Sequence, residues 1–508
     1  MTDTPQLTIR LHPDDNVIVA RSDILAGTNI PGEGFDTADN IPAGHKVATG
    51  KMAKDTPIRK YNQTIAFASQ DISPGQHVHT QNAEYQDFER DYAIGADVKK
   101  VDMIPVEDRA TFMGYRRANG QIATRNYIGI VTTVNCSATA ARQVARYFEG
   151  DALADYPNVD GVVAIVHGTG CGGMSGDGAE YIVRAIGGYA GHANFAGVMV
   201  LGLGCEALQV PTLMKYCGLE ESDKLSVATI QDLGGSNKTV QEGIARVKAL
   251  LPAANKVKRE PIPASELTLA LECGGSDGYS GISANPSLGA AADLLVRHGG
   301  TACLAETPEI YGAEHLLTRR AVSQEVADKL IGKIKWWENY AATRGAELNN
   351  NPSPGNKAGG LTTILEKSLG AAAKGGTTNL QDVYSYGERI SKKGFVFMDT
   401  PGYDPASITG MVAGGANVVC FTTGRGSVYG CKPAPSIKLA TNSAMYNRMA
   451  DDMDINCGQV VDGDLTVQEM GEQIFQTILA TASGEQTKSE RWGLGDDEFV
   501  PWITGAVL

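Results

Sequence analysis

The chain has no apolar run near the ~18 residues needed to cross a bilayer, which excludes a membrane-spanning helix. Met1 to Leu11 has neither a basic start nor an apolar core, so no secretion signal is expected and a cytoplasmic location is. Cysteine is scarce, at nine in 508 residues, which excludes a disulfide scaffold and leaves metal or redox chemistry as its special use. No two cysteines show Cys-x-x-Cys spacing, so no metal site can be read from spacing alone. Positive charge is also in deficit: 44 Lys and Arg face 58 Asp and Glu, a formal net charge of -14. That argues against nucleic acid as a partner but leaves room for an anionic small molecule held by a local Arg or Lys cluster. There is no Gly-x-x-x-x-Gly-Lys-Ser/Thr phosphate loop.

Glycine is abundant, at 60 residues, and it clusters in loops such as His167–Gly178, Cys273–Gly281 and Thr423–Gly430. No fixed repeat lies behind it. The length implies about three domains at ~150 residues each. Residues 1–82 read as a small β-rich unit, with short apolar runs at Val17–Val19, Ile65–Phe67 and Val78 separated by turn residues. Residues 83–108 are acidic and irregular and read as a linker. From about residue 109, strand-like and helix-like runs alternate, as mainly parallel α/β sheets require. Pro261 and Pro263 mark a boundary, giving α/β domains over 109–260 and 261–508. An insertion of lower order is expected over 344–375.

The most informative segment is Glu272–Pro286. It follows the strand-like Leu267–Leu271 and precedes the helix-like Leu288–Val296. It is longer than the ~2–6 residues usual between strand and helix. It carries a thiol, carboxylates, hydroxyls and an amide among four glycines. Open α/β sheets place ligands at such carboxyl ends of strands. Ser276, Asp277 and Asn285 suit a polyhydroxy ligand, because buried polar groups need partners.

Other candidates fall at similar positions. Cys136, Cys171, Cys205 and Cys273 each end or follow a predicted strand, where thiolates hold iron singly or as a cluster. His77 and His79 alternate on a β-like segment and share a face, a pattern suited to a divalent metal or to a solvated edge. His45 enters a strand from a turn, and His167 opens a glycine loop; both are candidate bases. Glu206 and Glu306 follow strands and suit metal ligation or proton transfer, whereas Glu309 after Pro308 reads as a helix-start acid. Arg425, among glycines at a strand end, is the first choice for a substrate carboxylate, with Lys357 second. The Gly168-x-Gly170-x-x-Gly173 pattern lacks the acidic partner of a dinucleotide site.

Together these segments resemble the altronate/galactarate dehydratase family over nearly the whole chain. The likeness rests on Ala43–Lys46, Gly75–His79, Gly202–Glu206, Cys273–Asp277, Asn285-Pro286, Asn351–Lys357, Thr422–Gly426 and Asp454–Asn456. The His-x-His pair, Glu272-Cys273 and Gly355–Gly360 lean toward the altronate branch. There are two departures: Gln81 stands where another His is frequent, and Asn62 stands where the family turn has Gly. The resemblance implies a small N-terminal SAF-type (antifreeze-like) domain and a catalytic α/β part. It implies loss of water from a sugar acid, D-altronate before galactarate, giving a 2-keto-3-deoxy acid. It implies dependence on Fe(II) or Mn(II). The thiols also leave an iron–sulfur cluster open, with iron near Cys136, Cys171 and Cys273 or near His77 and His79. A homo-oligomer, a dimer, is expected. Related lyases that expel sulfite carry the small domain as a separate chain. A non-catalytic sugar-acid binder is the reading from another class.

Overall fold

A computed structural model of the chain describes residues 6–88, 90–172 and 176–504. The N-terminal unit is built from two small antiparallel sheets. One holds Thr8–Ile9, Val17–Ala20, Lys46–Ala48 and His77–Val78 in that order; the other holds Pro57–Lys60, Gln63–Ala68 and Ala83–Glu84. Ala83 and Glu84 pair with Ala68 and Phe67, so the domain extends two residues into the expected linker. At the hairpin tip Tyr61 and Asn62 take φ of 62° and 57°. A two-residue turn of this kind needs positive φ at both positions, and Asn tolerates it, so the loss of glycine at residue 62 keeps the turn.

The linker runs along the C-terminal domain, with the Gly95 and Asp97 amides donating to the carbonyls of Thr318 and Arg319. A bridging sheet follows. Thr111–Arg116 pairs antiparallel with Glu260–Pro263, so the two boundary prolines sit in an edge strand, where no ladder N–H is required of them. The second domain has four parallel strands in the order Gly161–Ile165, Tyr127–Thr132, Phe195–Gly202, Leu225–Thr229. Among its helices are Ala138–Arg146, Asp177–Ala190 and Ser236–Lys256.

The C-terminal domain holds a seven-stranded parallel sheet. Its order is Leu380–Tyr384, Gly394–Met398, Thr301–Leu304, Thr268–Cys273, Val418–Thr423, Ser436–Ala440, Ile455–Asn456. The chain starts in the centre with Thr268–Cys273, builds one flank, then crosses to the other at Val418–Thr423. The crevice where such an order reverses is the ligand position of open α/β sheets. Three of these strands, Leu380–Tyr384, Ser436–Ala440 and Ile455–Asn456, have no strand-like apolar run to mark them. Ser436–Ala440 is a core strand despite Lys438, whose Nζ donates to Tyr429 O and Ser489 Oγ. The expected low-order insertion is also corrected: Ile364–Ala372 is a buried helix.

The two parallel sheets point the same way. Helices Asp177–Ala190 and Asp404–Ala413 begin at the carboxyl edges of their sheets. Their first turns meet through Tyr386, whose ring lies 5.5 Å from that of Tyr181 and whose hydroxyl donates to Ala406 O at 2.8 Å. Their last turns touch where Gly188 faces Ala413. The carboxyl edges of both sheets therefore open toward one side. Among the described residues no helix is long and apolar enough to cross a membrane.

Candidate active site between the N-terminal and C-terminal domains

Lys46 pairs with Val78 across antiparallel strands, which sets His45 opposite His79 and beside His77. The three rings pack within 4.8–5.4 Å between centroids, and His45 Nδ1 lies 2.9 Å from His77 Nε2. His45 Nε2 is 3.3 Å from Ala358 O, and among the described residues the buried His79 Nδ1 has no hydrogen-bond partner. Burial lowers the pKa of all three, to about 4 for His77 and about 3 for His79, with the Lys46 charge adding to the effect. Three neutral imidazoles whose ring nitrogens gather within 4.8 Å of one another can hold a divalent ion. His45 was expected as a base apart from the His77/His79 pair. Strand register makes it the third member, while the Gln81 amide donates to His77 O.

A buried ion cluster fixes this unit to the C-terminal domain. Glu366 accepts from Lys46 Nζ at 2.8 Å and from Lys60 Nζ at 3.0 Å, and all three side chains are fully buried. Lys46 Nζ also donates to Gly360 O, and Lys60 Nζ to Gly278 O. The two ammonium groups hold the Glu366 carboxyl well below the usual carboxylate range. Gly278 donates its N–H to Gly359 O, and a Cβ there would lie 2.0 Å from Gly44 O, so only glycine permits this three-loop junction.

The loop after Cys273 runs from this junction to a second cluster. Asp277 accepts from Thr441 Oγ1, Asn442 Nδ2, Ser280 Oγ and the Tyr279 amide. Asn285 donates to Gly370 O and accepts from Thr422 Oγ1. Asp277 and Asn285, expected to meet sugar hydroxyls, thus spend these groups on holding the loop, and Ser276 is buried beside them. Arg425 is exposed at the loop's outer edge, close to Gly275 and Gly359, and Lys357 is half-buried on the facing loop.

At the inner end, Cys273 is fully buried, with its thiol 3.5 Å from both Glu306 Oε2 and Glu309 Oε2. Lys374 Nζ donates to Glu306 at 2.8 Å, and Lys367 pairs with Glu309. Burial and the neighbouring Glu306 push the Glu272 carboxyl well above its usual range, while Lys374 keeps Glu306 low. A protonated Glu272 donating to Glu306 satisfies Oε1 atoms that otherwise lack partners among the described residues. Asp404, less buried, is raised to about 7 by burial and by Glu306 and Glu309. Glu306 takes φ 68°, a left-handed strain that turns its side chain into this cluster. Glu309 lies, as expected, in the first turn of the short helix Thr307–Glu309, and its carboxylate also joins this network. Two lysines already offset the carboxylates here, so the donor set suits a metal less than the imidazoles do.

The remaining candidates lie in the second domain. His167 is buried, with Nε2 3.1 Å from Thr132 O and Nδ1 accepting from the Thr169 amide, and burial lowers its pKa to about 4. Both nitrogens are engaged in holding its loop, which disfavours a role as base. Glu206 accepts from Thr133 Oγ1 and the Leu203 and Gly204 amides, so it braces a loop. Cys136 interacts with Cys171 and has Cys205 beside it. The expected grouping of Cys136 and Cys171 with Cys273 is corrected: Cys273 belongs to the other sheet, whose central strand it ends. Arg320 donates to the Gly375 and Thr378 carbonyls and stacks on Phe395, so it serves the core of the C-terminal domain. Sequence pattern gave no sign of Lys46, Lys60, Glu366, Lys367 or Lys374, because lysine and glutamate ordinarily face solvent.

Comparison with known proteins covers the whole assembly. Residues 6–86 match the altronate/galactarate dehydratase SAF domain, 114–255 the D-galactarate dehydratase/altronate hydrolase second domain, and 264–507 the D-galactarate/altronate dehydratase C-terminal domain. The chain is 38% identical to a galactarate dehydratase (L-threo-forming) of Escherichia coli, over 96% of this chain and 95% of that one. It is 35% identical to an altronate dehydratase of Bacillus subtilis, over 95% and 96%. It is 30% identical to the beta subunit of a (2R)-sulfolactate sulfo-lyase of Chromohalobacter salexigens, over 77% and 96%. With three domains matched in order and two dehydratases aligned over 95–96% of this chain, it belongs to the D-galactarate/altronate dehydratase family.

Proposed function

We propose that this protein is a hydro-lyase that removes water from a hexonate, D-altronate first, to give a 2-keto-3-deoxy acid. The observation that carries the reading is the crevice itself. At the switch point of the C-terminal sheet the loops gather exposed Arg425 against Gly275 and Gly359, half-buried Lys357, His45 beside Ala358 with His77 and His79, and the carboxylate–lysine cluster around Cys273. Arg425 takes the substrate carboxylate as a bidentate pair, with Lys357 as the second cation. The proton next to that carboxylate is barely acidic, so its removal needs a base poised near neutral pH. Asp404, held near 7 by burial and by Glu306 and Glu309, is that proton carrier. The departing hydroxyl takes up a proton and leaves as water, with no net redox change.

His45, His77 and His79 fit the divalent iron or manganese that the family resemblance implies. Held there, such an ion would supply a Lewis acid for negative charge that develops beside the substrate carboxylate. A second reading is galactarate, a diacid. It is favoured by the 38% identity to the galactarate enzyme and by the presence of two cations, Arg425 and Lys357, for two carboxylates. The test is incubation of iron-loaded protein with altronate, galactarate and gluconate, with 2-keto-3-deoxy acid measured. Product from altronate or galactarate is expected, and its absence with all three refutes the reading.

A further inference from the structure

Three thiols stand apart from the crevice just described. Cys136 lies in the short helical turn Asn135–Ser137 after strand Tyr127–Thr132. Cys171 lies in the loop after the neighbouring strand Gly161–Ile165, and Cys205 in the loop after Phe195–Gly202 on the other side. Three adjacent parallel strands thus each deliver one cysteine to the same edge of one sheet. All three are exposed, and Cys136 interacts directly with Cys171 and senses Cys205.

The loops are built to bring them together. The Asn135 amide donates to Thr169 O at 2.9 Å, tying the Cys136 turn to the Cys171 loop. Gly170, at φ 103°, packs so closely that a Cβ would lie 2.4 Å from Thr133 O. The buried Glu206 carboxylate accepts from Thr133 Oγ1 at 2.8 Å and from the Gly204 amide at 2.6 Å, tying the Cys136 strand end to the Cys205 loop. His167 Nε2 fastens the Cys171 loop to Thr132 O. Interior polar groups thus hold in place the loops that carry three exposed thiols.

We propose that Cys136, Cys171 and Cys205 bind a [4Fe–4S] cluster, leaving one of its irons without a protein ligand. A structural zinc site closes itself with four ligands, usually in Cys-x-x-Cys pairs. Here three thiols converge, and the other six cysteines lie elsewhere: Cys217 packs against Gly187, and the rest are buried in the C-terminal domain. Three thiolates on a cube-shaped cluster leave its fourth corner open. Both sheets open toward the same side, so the three thiols lie at an edge that faces the same way as the carboxyl edge of the C-terminal sheet. An open iron is a Lewis acid suited to a leaving hydroxyl. That role rests on the proposed dehydration, whereas cluster binding does not.

The test is anaerobic reconstitution of the full chain with ferrous iron and sulfide, followed by iron and acid-labile sulfide analysis, visible absorption and electron paramagnetic resonance. Roughly four irons and four sulfides per chain are expected. C136S, C171S and C205S should each lose the sulfide and the visible band, and C273S should keep both. Circular dichroism and thermal unfolding of each apo variant, matching wild type, establish that loss of cluster is not loss of fold. Iron without sulfide, a Cys136–Cys171 disulfide that persists under reductant, or loss of sulfide in C273S alone would overturn the proposal. Sulfide content is read without turnover. A cluster-bearing protein that dehydrates neither altronate nor galactarate would therefore sink the function and leave the cluster standing.

Discussion

Glu366→Gln isolates the interaction that joins the small domain to the catalytic one. In the native protein one carboxylate faces two ammonium groups at 2.8 and 3.0 Å, with the Thr362 amide and hydroxyl completing its shell. Glutamine keeps the shape and removes the only negative charge. Two buried cations then face each other without compensation. Removing one partner of a buried pair costs about 3–5 kcal/mol. For a domain of this size, each kcal/mol shifts Tm by about 2–4 °C, so a fall of about 6–20 °C is expected. Differential scanning calorimetry reads it directly. Lys46 also holds Gly360 O, and His45 precedes it in the chain, so Mn(II) binding by the imidazoles should weaken below the unfolding temperature. The triple variant Lys46→Met, Glu366→Leu, Lys60→Met should recover most of the stability, because well-packed apolar groups replace buried ion clusters with little loss. A Tm change under about 3 °C for Glu366→Gln would refute this account of how the domains are held.

His79→Ala should reduce Mn(II) affinity at least ~10-fold by titration calorimetry while leaving Tm nearly unchanged, since a ligand is lost from a half-buried ring. Arg425→Met should lower kcat/KM by roughly 10–100-fold, mainly through KM, because a charge-assisted hydrogen bond contributes about 1.5–3 kcal/mol; unchanged kinetics would remove Arg425 from the site. Asp404→Asn should lower kcat by ~10²-fold or more and abolish the rise of kcat/KM with pH through about 7. Asp404 also gives a stability signature with a definite sign. Its folded pKa is about 7 and its ordinary value 3.8, so the folded state binds more protons between these limits and wild-type stability falls as pH rises across them. Asp404→Asn should therefore match wild type near pH 4 and exceed it near pH 8 in chemical denaturation, and equal slopes would disprove the raised pKa.

Much of the architecture was legible because hydrophobic periodicity is local. The strands Tyr127–Thr132, Phe195–Gly202 and Thr268–Cys273 were readable as apolar runs, and the helices after them by their spacing. Ser436–Ala440 and Leu380–Tyr384 were not, since Lys438 and the polar Gln381-Asp382 break the pattern. The long loop after Cys273 was recognisable as special from its length and polarity. Its roles were not: Asp277 and Asn285 look like ligand groups in sequence and turn out to spend their hydrogen bonds on the loop itself.

What the sequence alone determined is the class of fold, the family and the kinds of side chain delivered to strand ends, because these follow from short-range pattern and motif. Which of those side chains meet was decided only in three dimensions. Antiparallel register brought His45 to His77 and His79. Strand order grouped Cys136 with Cys171 and Cys205, and placed Cys273 among Glu306, Glu309 and two lysines. Residues more than 300 positions apart, such as Lys46 and Glu366, became an ion pair because burial makes an uncompensated charge too costly to leave alone.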